Sequence, residues 1–237
     1  MKITLNFERT ISTDVSIMVD LLRASTTITM ALDKFKEIIP TLTTEQAKKI
    51  AIKTGGLLAG ERNGATLEGF DIGNSPIDIA SYNVNSKLGT DKLILTTSNG
   101  TRILEDMDSK VLVGCFANCK SVAKAALKLA NNHIDVVMAG VNGNFAIEDF
   151  LASGDILYWL QEYKDVYNID NVEISEYAQG AILAISDDNL VNEAILNSSS
   201  AKRLTDIGFK KDVDFCINRN ISNNVAIYDN GALKLFK

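Results

Sequence analysis

Histidine is almost missing from this chain: His133 is the single one among 237 residues. One imidazole excludes a multi-histidine zinc centre and argues against a phosphohistidine mechanism. His133 stands in Asn-Asn-His-Ile-Asp, ahead of an apolar run, and reads as a solvated loop residue. Cysteine is scarce and odd in number, with Cys115, Cys119 and Cys216. That excludes a secreted disulfide scaffold and points to reduced thiols. Cys115 and Cys119 lack CxxC spacing, and no cysteine has an arginine six positions on, which removes the thiol-phosphatase loop. No apolar run is long enough to span a bilayer, and the opening MKITLNFERT has no signal-peptide core, so a cytoplasmic protein is expected. Only two prolines occur, and no Pro-, Gly- or Ser-rich linker, repeat or low-complexity tract breaks the chain. A formal charge of −6 argues against nucleic acid or an acidic membrane surface as the partner. A homo-oligomer is left open.

What the chain does have is an alternation of apolar runs and helical patterns. Strands are expected at Val15–Val19, Glu37–Pro40, Lys92–Thr97, Val111–Phe116 and Ile134–Ala139, with a short apolar run at Gly56–Ala59. Helices are expected from Ser25 to Leu32 (capped by Ser25 or Thr26), from Thr44 through Lys53 behind a Thr43–Gln46 capping box, and at Thr101–Glu105, Ser121–Asn131 and Glu148–Glu162. This rhythm predicts an α/β fold with a mostly parallel or mixed sheet and helices on both faces. The last third is irregular, with helical patterns at Ser175–Ile185 and Ala194–Leu204 and short strands at Asp212–Cys216 and Asn224–Tyr228. Residues 1–170 are expected to form the α/β core and 171–237 a helical and short-strand segment on the same core.

Four polar clusters sit at strand ends or in loops: Asp20-Leu-Leu-Arg23-Ala-Ser25-Thr26, Gly60-Glu61-Arg62-Asn63-Gly64, Gly69-Phe-Asp71-Ile-Gly-Asn74-Ser75-Pro76, and Thr97-Ser98-Asn99-Gly100-Thr101-Arg102. Gathered at the carboxyl ends of parallel strands, they form one crevice rich in N–H and guanidinium donors, suited to a small, highly charged anion. Three have a plainer reading: a cap with an ion pair for Asp20 and Arg23, a turn for Gly60–Gly64, an N-cap for Thr97–Thr101. A turn, however, does not need the adjacent Glu61–Arg62 pair, whose side chains point to opposite faces of an extended chain. The spacing at Thr97–Thr101 is not that of a Walker A loop. An aspartyl nucleophile of the haloacid-dehalogenase type needs a second Asp where Leu22 stands. The remaining inventory is carboxylate, Arg, Asn, hydroxyl and backbone N–H. The ion that matches Asp20, Glu61 and Asp71, with Glu148 and Asp149 at a helix start, is Mg²⁺.

The runs Asp20–Ile28, Gly60–Gly64, Gly69–Pro76 and Thr96–Arg102, with the strand, glycine turn and acidic helix start over Val136–Asp149, resemble the signature segments of the 2-phosphosulfolactate phosphatases. The resemblance covers Val15 to Asp155 in strong motifs. Met138 stands where that family commonly has Cys, and Asn220 where an acidic residue is frequent. The resemblance implies Mg²⁺-dependent hydrolysis of (R)-2-phospho-3-sulfolactate to sulfolactate and phosphate in coenzyme M biosynthesis. Asp20, Arg23, Glu61 and Arg62 are the expected catalytic residues. Ser25, Thr26, Asn63, Asn74, Ser75, Ser98, Asn99, Gly100, Thr101 and Arg102 are the expected substrate contacts. Two other readings remain: a phosphatase for another short phosphorylated hydroxy acid, and a non-catalytic binder of an anionic metabolite, which the carboxylates among the arginines disfavour.

Overall fold

The computed structural model describes residues 1–83, 90–105 and 107–237, with the Arg102 and Glu105 side chains outside the described atoms. In chain order the elements are β1 (Lys2–Phe7), β2 (Val15–Val19), α1 (Ala24–Ala31), β3 (Glu37–Thr41), α2 (Thr44–Thr54), β4 (Leu57–Arg62), β5 (Ala65–Thr66) and α3 (Pro76–Ser81). They continue with β6 (Lys92–Thr96), α4 (Gly100–Glu105), β7 (Lys110–Gly114), α5 (Cys119–Leu129), β8 (His133–Met138), α6 (Ile147–Tyr163) and β9 (Glu173–Ile174). The last are α7 (Glu176–Ala184), α8 (Asp188–Leu196), α9 (Ser199–Asp206), α10 (Lys210–Cys216), β10 (Ala226–Asp229) and β11 (Ala232–Leu235).

The strands form one mixed sheet in the order β5-β4-β6-β3-β11-β10-β7-β2-β8-β1-β9. Side-chain alternation along each central strand divides the core between two faces. In β2, Val15, Ile17 and Val19 face α5, α6, α7 and α8, while Met18 faces α1, α3 and α4. Buried on both faces, such strands read as continuous apolar runs rather than alternating ones. The α/β expectation holds, with helices on both faces.

The C-terminal hairpin lies in the middle of this sheet, not at its edge. β4-β6-β3 and β7-β2-β8-β1 are parallel blocks, and β10 and β11 join them by antiparallel pairing to β7 and β3. The pairing Leu233↔Ile38 closes the seam on one side and Ala226↔Val113 on the other.

Asn-Gly dipeptides mark the chain reversals. Asn63-Gly64 between β4 and β5, Asn142-Gly143 and Asn230-Gly231 between β10 and β11 all have positive φ at both residues. That is the conformation a two-residue hairpin turn needs, and Asn-Gly adopts it at least cost. The segment Gly60–Gly64 is therefore a strand end followed by a tight turn.

Three expectations need correction. Asp212–Cys216 is helical, within α10: Val213 and Cys216, three apart, face the core together, and Asp212 is buried beside them. Ala194–Leu204 is two helices broken at Asn197–Ser198, where the Ser198 hydroxyl accepts from the Ala201 N–H. His133 opens β8 rather than lying in a loop; it is half-buried, 2.9 Å from the Thr4 hydroxyl, and burial pushes its pKa down. The three cysteines are free and buried. Among the described residues no helix is long and apolar enough to cross a membrane.

Candidate active site

The site is built where β2 stops. The chain turns sharply after Val19, and the turn is held from behind by its own hydroxyls. Ser25 Oγ accepts from the Asp20 N–H at 2.8 Å, and Thr26 Oγ1 donates to the Leu21 carbonyl at 3.1 Å. Both are fully buried, so they position the turn and are not aimed at a ligand. Neither caps α1; Arg23 is its N-cap, without a side-chain bond. Asp20 projects from the front of the turn, its Oδ1 accepting from the Ala24 N–H at 3.3 Å.

Buried carboxylates converge there. Glu61, at the end of β4, accepts from Ser98 N–H with one oxygen and from Gly64 N–H with the other, both at 2.7 Å. It thereby ties the loop after β6 to the β4–β5 hairpin. Asp149, in the first turn of α6, accepts from Leu21 N–H at 2.8 Å and Gly140 N–H at 2.9 Å. Glu148 is equally buried and makes no hydrogen bond to any described residue. Burial, with the neighbouring Glu61 and Glu148 charges, pushes the Asp20 carboxyl up to about 7. Burial, with Asp20 and Glu148, pushes Asp149 well above the usual carboxylate range. Asp71 does not belong to this group: it is exposed and accepts from the Leu58 N–H at 3.0 Å on the outer side of β4.

The arginines have unlike roles. Arg23 is buried, donating to Asp212 and to the Gly64 carbonyl, each at 2.6 Å, with its guanidinium 4.4 Å from the centre of the Phe209 ring. It lines the same cleft as Asp20 and Glu61. Arg62 points the other way, as opposite faces of a strand require. It donates to the Glu61 and Leu42 carbonyls at 2.6 and 3.2 Å and to the Thr96 hydroxyl at 3.0 Å, and it does not line the cleft. Arg102 lies on α4, and its side chain falls outside the described atoms. Arg203, which sequence reasoning missed, lines the cleft from α9, and its buried Nε has no partner.

The remaining candidates divide between lining and bracing. Asn63, Asn74, Ser98 and Asn99 line the cleft. The Asn74 Oδ1 is buried there without a donor, and Asn99 Oδ1 accepts from the Asn142 N–H at 3.1 Å. Ser75 caps α3 and donates to Asp212 at 2.7 Å. Thr101 is buried and closes the Thr97 turn, its hydroxyl donating to the Thr97 carbonyl at 3.1 Å. Gly100 abuts Asp20. Asp212 is a second missed residue: it holds both Arg23 and Ser75 across 189 and 137 positions of sequence. A separation so long leaves no signal in a single sequence. Arg203 lies in an ordinary amphipathic helix and carries no motif either.

The family model for 2-phosphosulpholactate phosphatase matches residues 3–231. A 2-phosphosulfolactate phosphatase of Methanothermobacter thermautotrophicus is 49% identical over 237 residues, covering 100% of this chain and 96% of the relative. Its counterpart in Methanocaldococcus jannaschii is 36% identical over 228 residues, or 94% and 93% of the two chains. A probable 2-phosphosulfolactate phosphatase of Clostridium beijerinckii is 32% identical over 233 residues, or 95% and 93%.

Proposed function

Because the chain belongs to the 2-phosphosulpholactate phosphatase family, we propose that its cleft hydrolyses (R)-2-phospho-3-sulfolactate to sulfolactate and phosphate with the help of Mg²⁺. This reaction is a step of coenzyme M biosynthesis. The observation that carries the cofactor is an excess of negative charge. Asp20, Glu61, Glu148 and Asp149 crowd one buried place, while Arg23 is already paired with Asp212. A substrate with three acidic groups enters such a place only if a cation offsets the repulsion.

The donor set fits Mg²⁺. The ion is commonly held by one or two carboxylates, waters and substrate phosphate rather than by a full protein cage. Asp20 and Glu148 are the carboxylates to hold it, with the unpartnered Asn74 Oδ1 as a neutral oxygen donor. When bound, Mg²⁺ would neutralise phosphoryl charge and acidify a water.

The chain's own residues do the rest. Arg23, fixed by Asp212 and Gly64, turns its remaining N–H groups to the phosphoryl oxygens. Ser98 and Asn99 add polar contacts beside it. Asp20, facing the cleft from the end of β2, orients the attacking water and takes its proton at a carboxylate oxygen. Glu61 keeps the Ser98 loop and the Asn63-Gly64 turn at a fixed spacing around the reacting group. Arg62 and Thr101 hold the strand ends that carry Glu61 and Gly100. Comparing kcat/KM for phosphosulfolactate, phospholactate and phosphoglycolate tests the assignment. A preference for phosphosulfolactate supports it, and a higher value for either of the others would replace it with a phosphatase for a different hydroxy acid.

A further inference from the structure

Among the described residues, Arg203 is the cleft guanidinium with no acid of its own. Among the described residues no carboxylate lies within ion-pair distance of it, and its buried Nε has no hydrogen-bond acceptor. A guanidinium donor removed from water and left without an acceptor costs free energy, and a bound anion repays that cost. Arg23 has already given Asp212 and the Gly64 carbonyl part of its fork; Arg203 has given nothing.

Its position says which anion group it serves. Arg203 lines the catalytic cleft with Asp20 and Arg23, and it also lines an adjoining cavity of about 470 Å³. That cavity is walled by neutral amides and hydroxyls, among them Asn142, Asn144, Ser199 and Ser200, together with apolar side chains such as Phe145 and Ile147 and with the carboxylate of Glu148. The placement follows from packing. Ala201 and Leu204 on α9 are buried against Val213 with Leu22 and Phe209, which fixes the helix face and leaves Arg203 at the border of the two spaces. The Asn142-Gly143 turn stands opposite, tied to the catalytic loop by the Asn142–Asn99 hydrogen bond.

We infer that Arg203, with the Asn142 turn and the Ser200 end of α9, seats the sulfonate of the substrate, the group that does not react, while the phosphoryl group lies by Asp20 and Arg23. The inference rests on the substrate class proposed above. A sulfonate is a weak base with three equivalent oxygens. It competes poorly for a cation held by carboxylates, and it suits a planar guanidinium with neutral N–H and O–H donors around it. Arg203 is then the residue that separates a sulfonated substrate from its plain analogues. A site built to pair a charged group discriminates strongly against a ligand lacking it.

The test compares wild type, Arg203→Ala and Arg203→Lys on 2-phosphosulfolactate and on 2-phospholactate, which keeps phosphate and carboxylate and lacks the sulfonate. Arg203→Ala is expected to lose about 10²-fold in kcat/KM for phosphosulfolactate, mainly through KM, and less than about threefold for phospholactate. Arg203→Lys should recover part of the phosphosulfolactate loss. Equal losses on both substrates would overturn the inference, because Arg203 would then serve the shared phosphate or carboxylate; no loss on either would overturn it too. Melting curves with sulfolactate and with lactate give a second readout that needs no turnover. Sulfolactate is expected to raise the wild-type Tm and not that of Arg203→Ala, and equal shifts in the two proteins would overturn the inference. If wild type hydrolyses neither phosphoester yet shows the selective shift, the reaction assignment fails and the sulfonate seat stands.

Discussion

A methyl group on Gly100 would sit 2.9 Å from Oδ2 of Asp20 and 2.9 Å from Cβ of Ala24. Gly100 opens α4, four residues past β6, and Asp20 directly follows β2, two strands that have β3, β11, β10 and β7 between them in the sheet. The residue at position 100 is glycine because that contact leaves no space for a side chain. Its backbone is not in the left-handed region, so conformational freedom is not the reason.

Gly100→Ala therefore forces Asp20 or α4 aside. The expected cost is about 1–3 kcal/mol of stability, as for other overpacked sites, and a fall of at least tenfold in kcat/KM. Gly100→Val should be inactive while still melting cooperatively. Thermal melts beside phosphate-release kinetics measure both, and an Ala variant with wild-type turnover would show that Asp20 tolerates displacement.

The Arg23–Asp212 pair is buried on both sides, at 2% and 3% exposure. Asp212→Ala leaves a buried guanidinium uncompensated and is expected to destabilise the protein by about 3–5 kcal/mol. Arg23→Lys should not restore activity, because an ammonium cannot span Asp212 and the Gly64 carbonyl as the fork does. Denaturant unfolding of Asp212→Ala and kinetics of Arg23→Lys check the two statements separately.

Glu61 and Arg62 are neighbours with opposite assignments. Glu61→Gln changes the charge facing the cleft and weakens two N–H bonds, and is expected to lower kcat/KM by about 10²-fold. Arg62→Ala removes contacts to Leu42, Glu61 and Thr96 away from the cleft, and should stay within about tenfold of wild type. A reversed order of the two losses would place Arg62, not Glu61, at the reacting group.

Much of this was readable beforehand, for physical reasons that differ by element. β2, β6 and β8 are fully enclosed strands, and enclosure writes itself as an unbroken apolar run ending in a polar cluster. Asp20, at the end of β2, was visible for that reason, while Glu61, at the end of β4, stood out because a turn does not need the adjacent Glu61–Arg62 pair. The central place of β10 and β11 was not, because strand pairing between Leu233 and Ile38 depends on topology that local pattern does not encode. In Asp212–Cys216 the polar-apolar alternation imitates a strand, and only tertiary packing shows that Val213 and Cys216 form a helix face. Asp212 and Arg203 remained hidden because their partners are far away in sequence, in the one case, and absent from the protein, in the other.

Stability should depend on pH in a defined direction. Asp20 is raised from 3.8 to about 7 in the folded protein, and Asp149 is raised in the same direction. Through these two groups the folded state binds more protons than the unfolded state between the two values, so their contribution to stability falls as pH rises from about 4 through 7, while His133, lowered by burial, acts in the opposite sense. In metal-free buffer, Asp20→Asn should flatten that part of the profile and melt higher than wild type at pH 8. A Tm difference between Asp20→Asn and wild type that stays constant over this range in the absence of divalent ions would refute the crowding of charges described here.

The most direct measurement is phosphate release from (R)-2-phospho-3-sulfolactate by protein stripped with EDTA and dialysed, then titrated with MgCl₂. Negligible turnover is expected in the stripped protein and full recovery with added Mg²⁺, with no recovery in Asp20→Asn. Undiminished turnover after stripping, or none at any Mg²⁺ concentration, would contradict the Mg²⁺ dependence.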